Sequence, residues 1–198
     1  MITVDAFPAT RVDPTDDKNK RYTTSETMRV IMRLCKVHSW DLDVAADAES
    51  HWAEPWYGIE QDGLVQPWLG SVFCNPPFDN IGAWVRRAWI ATTTGPNEIN
   101  AAKSVAMLLP ANRTEQPWWQ TLVEPFRDRG FDTYSEQEGF AWHDSDQTVR
   151  ETRRTDLFRP TRLRTHFLPG RTRYGHPGNR EGIGVDSPPF ASVLLVWR

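Results

Sequence analysis

The sequence predicts a single-domain α/β fold with a mainly parallel sheet. Three apolar segments predict strands at 40–46, 71–74 and 104–109, and an amphipathic helix separates the second strand from the third. Strand, helix and strand in this order join parallel neighbours. With 198 residues, 39% of them hydrophobic, the chain can bury one ordinary core and has little room for a second domain.

The remaining parts of the chain are less regular. Residues 1–20 mix proline, aspartate and lysine without periodicity, which predicts an arm that either lies over the domain or is disordered. The domain itself is expected at 21–198. Within it, the polar residues of about 131–165 predict a recognition loop, and the apolar run 190–197 predicts a buried strand.

Two helices are predicted from their first residues. A capping box from Thr23 to Glu26 precedes apolar residues at helical spacing, which predicts a helix at about 25–37. Thr114 is the predicted N-cap of a further helix that reaches about residue 129.

Charge is segregated along the chain. Residues 41–62 carry seven acidic side chains and no lysine or arginine, whereas residues 150–180 carry nine arginines against two acids. Such segregation indicates two surfaces with different partners. The arginine-rich segment is suited to contacts with phosphates, because guanidinium groups bind anions in a forked geometry. A solvated charged face is the alternative.

The sequence predicts neither a disulfide nor a structural metal. Cys35 lies in a predicted helix and Cys74 ends a predicted strand, so a disulfide framework is not expected. The five histidines lack the spacing of metal ligands. There is no basic segment followed by an apolar one near residue 1, and no apolar run long enough to cross a bilayer. The expected setting is a reducing cytoplasm.

The tetrapeptide Asn75-Pro76-Pro77-Phe78 is the most informative motif in the chain. It directly follows a predicted strand and precedes a predicted helix, at the edge of the sheet where open α/β folds bind ligands. Asn75 offers a side-chain carbonyl, and the proline-stiffened backbone can aim the carbonyl of Pro76 at a second hydrogen. Phe78 offers a flat face on which a base extruded from DNA can stack.

Such a loop fits chemistry on an aromatic amino group. The lone pair of an adenine amino nitrogen is delocalised into the ring, so acceptors on both amino hydrogens would localise it toward an incoming methyl group. The alternative is a plain turn, because Asn-Pro and Pro-Pro are ordinary turn signals. The strand before the loop and the helix after it favour a catalytic loop.

Several further motifs stand around this loop in a characteristic order. Together they resemble the phage Dam-type DNA N6-adenine methyltransferases, a resemblance that covers most of residues 21–198. The segments that carry it are Arg21-Tyr22-Thr23-Thr24, Trp40-Asp41-Leu42-Asp43-Val44-Ala45-Ala46, Asp62-Gly63-Leu64 with Trp68, Phe73-Cys74-Asn75-Pro76-Pro77-Phe78 with Trp84, Leu108-Leu109-Pro110, Phe167-Leu168-Pro169-Gly170-Arg171 and Pro189-Phe190-Ala191-Ser192-Val193.

The resemblance implies a class I, Rossmann-like methyltransferase fold with helices on both faces of the sheet. It also implies that S-adenosylmethionine binds beside the catalytic loop formed by Asn75, Pro76, Pro77 and Phe78. The residues that would bind the cofactor by this resemblance are Tyr22, Thr23, Thr24, Asp43, Ala45, Ala46, Asp62 and Asn75.

Each cofactor assignment has a structural alternative. The segment of Tyr22, Thr23 and Thr24 would touch the methionine end of the cofactor, since a helix N-terminus suits a carboxylate, or it serves only to cap the helix. Asp43 would accept from the cofactor's ammonium group, or it simply ends a strand. Asp62 would lie near the adenosine, or it forms a turn with the glycine that follows.

Two positions depart from related patterns. Ala45-Ala46-Asp47 stands where many class I methyltransferases have a glycine-rich sequence, so generic rules for cofactor contacts do not transfer. Phe78 stands where many relatives have tyrosine; the ring face is kept and a hydroxyl contact is lost.

The predicted partner is double-stranded DNA. The arginines expected to contact it are Arg150, Arg153, Arg154, Arg162, Arg164 and Arg171. For Arg171 a structural role in the fold is the alternative. Trp84 and Trp89 stand at helical spacing and are expected in the core rather than in base stacking.

The sequence therefore predicts an enzyme that methylates the N6 amino group of adenine in DNA, in a bacterial or phage-infected cell. One rival is a methyltransferase that uses the same loop on a protein glutamine or an RNA guanine. Another is a DNA-binding protein that keeps the fold without turnover.

Overall fold

The computed structural model describes residues 21–93, 101–128, 142–143, 149–150, 161–183 and 188–198. Its centre is a five-stranded sheet, flanked by three α-helices. The strands are β1 (Tyr22–Thr23), β2 (Leu42–Asp43), β3 (Gly70–Cys74), β4 (Ala102–Pro110), β5 (Trp142–His143), β6 (Val149–Arg150), β7 (Leu163–Phe167), β8 (Tyr174–Gly175) and β9 (Ser192–Trp197). The helices are α1 (Ser25–Cys35), α2 (Ile81–Thr93) and α3 (Pro117–Leu122).

The central sheet is mixed. Its order is β2-β3-β4-β9-β7, with parallel pairing from β2 to β4 and antiparallel pairing of β9 with both β4 and β7. Four strands therefore run in one direction and β9 runs against them. The predicted βαβ unit from β3 through α2 to β4 is confirmed. Two small antiparallel pairs, β1 with β8 and β5 with β6, lie outside the central sheet.

Alternate residues of the strands contribute to two separate core clusters. One cluster joins α2 and α3 to Val72, Val105 and Leu195, and the other joins α1 to Phe73 and Leu194. Successive strand residues point to opposite faces of a sheet, which accounts for the separation of the cluster of α1 from that of α2 and α3. Trp84 and Trp89 both belong to the α2 cluster, as predicted.

Helix α1 begins where the sequence predicts and ends two residues earlier. Lys36 adopts a left-handed conformation with φ of 52°, and its backbone N–H bonds back to the last turn, which terminates the helix. The predicted capping box is wrong by one position. Thr24, not Thr23, is the N-cap, and its side chain accepts from the backbone N–H of Thr27.

Two other expectations are corrected by the structure. The helix predicted from Thr114 is shorter: α3 begins after Gln116, which has no side-chain capping bond, and a separate 3-10 turn follows at Glu124–Phe126. The proposed recognition region extends too far, because β7 begins at Leu163 and belongs to the central sheet. Most of the rest of that region lies outside the described residues.

Candidate active site

The 75–78 loop lies at the carboxyl end of β3, between the parallel neighbours β2 and β4. Asn75 directly follows the strand, Pro76 is buried, and Phe78 opens a 3-10 turn that leads into α2 at Ile81. Pro77, the residue before this turn, has an extended backbone with φ of −58° and ψ of 141°. Proline fixes its own φ, which stiffens the loop at the edge where open sheets bind ligands.

The Asn75 side chain is held by the segment that precedes α1. Its amide nitrogen donates to the backbone carbonyl of Arg21 and to the hydroxyl oxygen of Thr23, at 3.2 Å from the latter. A backbone carbonyl can only accept, so the nitrogen must face Arg21 and the oxygen must face away from it. That oxygen, Oδ1, is buried and has no hydrogen-bond partner in the part of the chain that the structure describes.

An unpartnered buried carbonyl is unusual, because leaving it without a donor costs about 1 to 3 kcal/mol. The Asn75 oxygen is thus an acceptor kept in place by two bonds on the other side of the same amide. It is suited to accept from a donor that a ligand brings.

Phe78 packs among aromatic and cationic neighbours. Its ring meets the ring of Phe190 edge to face, with centroids 5.9 Å apart and planes at 71°. The guanidinium of Arg21 lies over the Phe78 ring, 5.8 Å from its centroid. Phe78 is only partly buried, so the ring is at once supported by the protein and accessible to a ligand.

Asp43 is a buried carboxyl on the strand next to the loop. It pairs in register with Phe73 of β3, is 2% exposed, and accepts from the backbone N–H groups of Ala45 and Trp52. Burial raises the pKa of this carboxyl from 3.8 to about 7, with a smaller raising contribution from the neighbouring Asp47. The two hydrogen bonds act in the opposite direction and lower the pKa. A nearby cation would stabilise the charged form of this buried carboxyl.

The segment with Tyr22 and Thr24 lies across the same edge of the sheet. Tyr22 belongs to β1, which pairs with β8, and its hydroxyl donates to the carboxylate of Asp47 at 2.8 Å. Asp47 in turn accepts from the backbone N–H groups of Glu49 and Ser50, which forms the turn after β2. Tyr22 is therefore tied to the acidic segment that follows Asp43.

The N-terminus of α1 already holds a carboxylate. Glu181 accepts from the backbone N–H of Ser25 at 3.1 Å and from its hydroxyl at 2.6 Å, and these bonds lower the pKa of Glu181. The N–H of Thr27, two residues further along the helix, donates to the side chain of Thr24. A cofactor carboxylate at this helix end would compete with Glu181.

Asp62 adopts a turn conformation beside the end of β2. It is exposed, has φ of 54°, and accepts from the backbone N–H of Leu64 at 3.1 Å. Gly63 packs so closely that an added Cβ would come within 2.0 Å of the carbonyl oxygen of Val44. The predicted turn is present, and only glycine fits at its second position.

The structure brings most of the predicted site residues to one edge of the sheet. Thr23 bonds to Asn75, and Asp43 bonds to the backbone of Ala45. Ala46 follows on the same turn, where its N–H donates to the carbonyl of Tyr57. Four further residues in this region were not assigned from the sequence: Arg21, Asp47, Trp52 and Glu181.

Two of the predicted DNA-binding arginines, Arg162 and Arg164, are not brought to this edge. Arg162 and Arg164 are exposed at and near the start of β7, which is the strand farthest from β2 and whose beginning lies at the opposite edge of the sheet. Arg171 is also exposed. Arg150 is described only as a backbone position in β6, and Arg153 and Arg154 lie outside the described residues.

The described residues contain neither a metal-binding cluster nor a membrane-spanning helix. No group of three histidine, cysteine, aspartate or glutamate side chains there could hold a metal ion. Within the same ranges, no helix is both long and apolar enough to span a bilayer. Cys35 and Cys74 are buried free thiols, and burial raises the pKa of both.

A mixed α/β sheet with a proline-stiffened loop at the carboxyl ends of its parallel strands is typical of α/β enzymes. The family model for DNA N-6-adenine-methyltransferase (Dam) matches residues 14–152, which is more than half of the chain. The chain therefore belongs to the DNA N-6-adenine-methyltransferase (Dam) family. No curated protein and no solved structure matches it significantly.

The matched region contains every residue predicted for catalysis and for cofactor binding. Of the predicted DNA-binding arginines it contains only Arg150.

Proposed function

We propose that the protein transfers a methyl group from S-adenosylmethionine to the N6 amino group of adenine in a specific DNA sequence. Membership of the Dam family supports the reaction. The observation that carries the proposal is the buried Asn75 oxygen, which lacks a donor and sits in a fixed orientation at the carboxyl edge of the sheet.

The loop residues act on the amino group of the substrate. Asn75 Oδ1 accepts one amino hydrogen and the carbonyl of Pro76 accepts the other, which localises the nitrogen lone pair toward the methyl donor. An adenine inside a duplex cannot reach this loop, so the base is flipped out and stacks on Phe78. S-adenosylmethionine would supply an electrophilic methyl group on a sulfonium: the N–C bond would form as the S–C bond breaks, S-adenosylhomocysteine would leave, and the surplus amino proton would pass to solvent, without a covalent enzyme intermediate.

The residues around Asp43 fit the methionine end of this cofactor. A ligand ammonium beside Asp43 would offset the burial that raises the pKa of that carboxyl. Ala45 and Ala46 have side chains small enough for a ligand to approach the backbone. Tyr22, Thr23, Thr24 and Asp62 complete the proposed contacts, with the α1 N-terminus available to a carboxylate once Glu181 is displaced.

The strand order supports a class I, Rossmann-like arrangement. One reversed strand, β9, lies between β4 and β7, and α1 packs on the face opposite α2. In such a fold the ligand site lies at the carboxyl ends of the parallel strands, which is where Asn75 and Asp43 stand.

DNA binding is proposed to use the exposed arginines Arg162, Arg164 and Arg171, together with Arg150, Arg153 and Arg154. Each phosphate contact releases counterions, so replacing one of these arginines would reduce the salt dependence of binding by about one unit of slope. Because Arg162 and Arg164 lie at and near the start of β7, contacts of these two residues would anchor the duplex away from the flipped base.

The test is incubation of the protein with S-adenosylmethionine labelled in its methyl group and with unmethylated DNA, followed by nucleoside analysis. Label in N6-methyladenine supports the proposal. Label in a protein glutamine or in RNA guanine would overturn the substrate. Binding of DNA without affinity for the cofactor, measured by calorimetry, would instead mark a non-catalytic relative.

A further inference from the structure

Arg21 contacts both ends of the 75–78 loop. Its backbone carbonyl accepts from the Asn75 amide, and its guanidinium lies over the Phe78 ring, 5.8 Å from the centroid. The same guanidinium lies over the ring of Phe190 at 5.5 Å. One residue therefore touches the proposed acceptor through its backbone and the proposed stacking ring through its side chain.

These contacts restrict how the Phe78 ring can turn. The flat guanidinium is shared with Phe190, which itself meets Phe78 edge to face at 5.9 Å. An arginine over two rings favours one arrangement of both, since cation–π attraction depends on position above the ring face.

We propose that Arg21 is a positioning residue for methyl transfer, acting through Phe78 and Asn75 rather than on DNA. The inference rests on the proposed function, because it concerns the same acceptor and the same stacking ring. Arg21 keeps the ring oriented for the flipped base and anchors the carbonyl that fixes the Asn75 amide. Both groups are then in place before the base arrives, which is how preorganisation lowers a barrier.

A contact between Arg21 and a DNA phosphate is the competing explanation. Arg21 is partly buried with its guanidinium against two rings, which disfavours that role. The two explanations differ in salt dependence, because only a phosphate contact contributes to counterion release.

A double-mutant cycle with Arg21→Met and Phe78→Leu distinguishes them. Methionine keeps the unbranched stem and removes the guanidinium. We expect Arg21→Met to lower kcat about 10-fold, with KM for DNA changed less than about 3-fold. In the Phe78→Leu background the same change should cost less than about 2-fold, because the ring it acts on is gone. Arg21→Lys should restore part of the lost kcat.

Arg87→Met is the matched control. The Arg87 guanidinium also lies over an aromatic ring, that of Trp68 at 5.7 Å, and donates to the backbone carbonyl of Gln66, but it belongs to α2 and has no contact with residues 75–78 in the part of the chain that the structure describes. It should leave kcat within about 2-fold of wild type. Additive effects of Arg21→Met and Phe78→Leu would overturn the proposal. So would a salt slope for DNA binding that falls by about one unit in Arg21→Met.

A measurement on the free protein separates this inference from the proposed function. If wild type does not methylate adenine, the function fails, yet NMR of the Asn75 side-chain amide still tests the positioning role. We expect Arg21→Met to broaden or shift those amide signals, because the Arg21 carbonyl loses its anchor. Signals identical to wild type would overturn the inference even in an active enzyme.

Discussion

The side-chain amide of Asn75 donates to the hydroxyl oxygen of Thr23 at 3.2 Å, a contact between residues 52 positions apart. Thr23 is 2% exposed and belongs to β1, whereas Asn75 directly follows β3. The segment before α1 thus fixes the amide from outside the loop. Contacts from outside the 75–78 loop therefore orient the unpartnered side-chain oxygen of Asn75.

Asn75→Ala should reduce methylation at least about 100-fold, since a lost acceptor in a preorganised site typically costs two to three powers of ten. Cofactor affinity should stay within a few-fold, because the amide oxygen acts on the substrate amino group. Labelled methyl transfer and calorimetry measure the two effects. Asn80→Ala, in the 3-10 turn that follows, is the control and should retain turnover. Normal turnover by Asn75→Ala would remove the catalytic assignment.

Thr23→Val should lower kcat about 5- to 10-fold, because it deletes one of the two acceptors that orient the Asn75 amide. Valine keeps the shape of threonine, so packing of this buried position is preserved. Thr23→Ser retains the hydroxyl and should turn over close to wild type. Steady-state kinetics on a DNA substrate distinguish the pair, and equal rates for valine and serine would contradict the orienting role.

The raised pKa of Asp43 should make the free energy of unfolding depend on pH. Its pKa is about 7 in the folded protein against 3.8 for the free group, so between these values the folded state binds more protons than the unfolded state. The contribution of this group is fully present below the unfolded pKa and is lost as pH rises through about 7. At 1.36 kcal/mol per pKa unit the loss is of the order of 4 kcal/mol.

Asp43→Asn should remove this decline, although the amide also weakens the bonds from Ala45 and Trp52 and shifts the whole curve. Denaturant unfolding at several pH values between 5.5 and 8.5 measures the difference. Curves for variant and wild type that stay parallel across this range would show that burial does not perturb Asp43.

Glu181→Gln should raise the affinity for S-adenosylmethionine about 2- to 5-fold, if a cofactor carboxylate takes the α1 N-terminus. The substitution removes the negative charge of the side chain that accepts from the N–H of Ser25. Glu115→Gln, on an exposed residue near α3, serves as the control. An affinity that is unchanged or lower in Glu181→Gln would indicate that Glu181 is a permanent helix cap.

Local sequence signals predicted the elements around the candidate site well and the contacts between those elements poorly. The strand before Asn75, the turn at Asp62 and the helix beginning at Ser25 follow from proline, glycine and periodicity, and the structure has all three. The capping box failed by one residue because Thr23 is used by Asn75, a partner distant in the chain. No local sequence pattern predicts a hydrogen bond between residues so far apart in the chain.

The same reason explains what was missed at the far end of the sequence. Glu181 reaches the first turn of α1 across 156 positions, and β7 joins the sheet through β9 rather than through a neighbour in the chain. Arg21 belongs to a segment that carries the family resemblance, yet no local pattern predicts a role for it, since its contacts with Phe78 and Phe190 depend on the tertiary fold.

Strand β9 lies between β4 and β7, so residues 192–197 separate two strands that come earlier in the chain. On the ribosome, β4 and β7 emerge first and must wait for this segment before either can complete its hydrogen-bond ladder. Nascent chains that stall before residue 192 would expose an apolar strand edge, which is prone to aggregation. Completion of the central sheet therefore follows the synthesis of its other four strands.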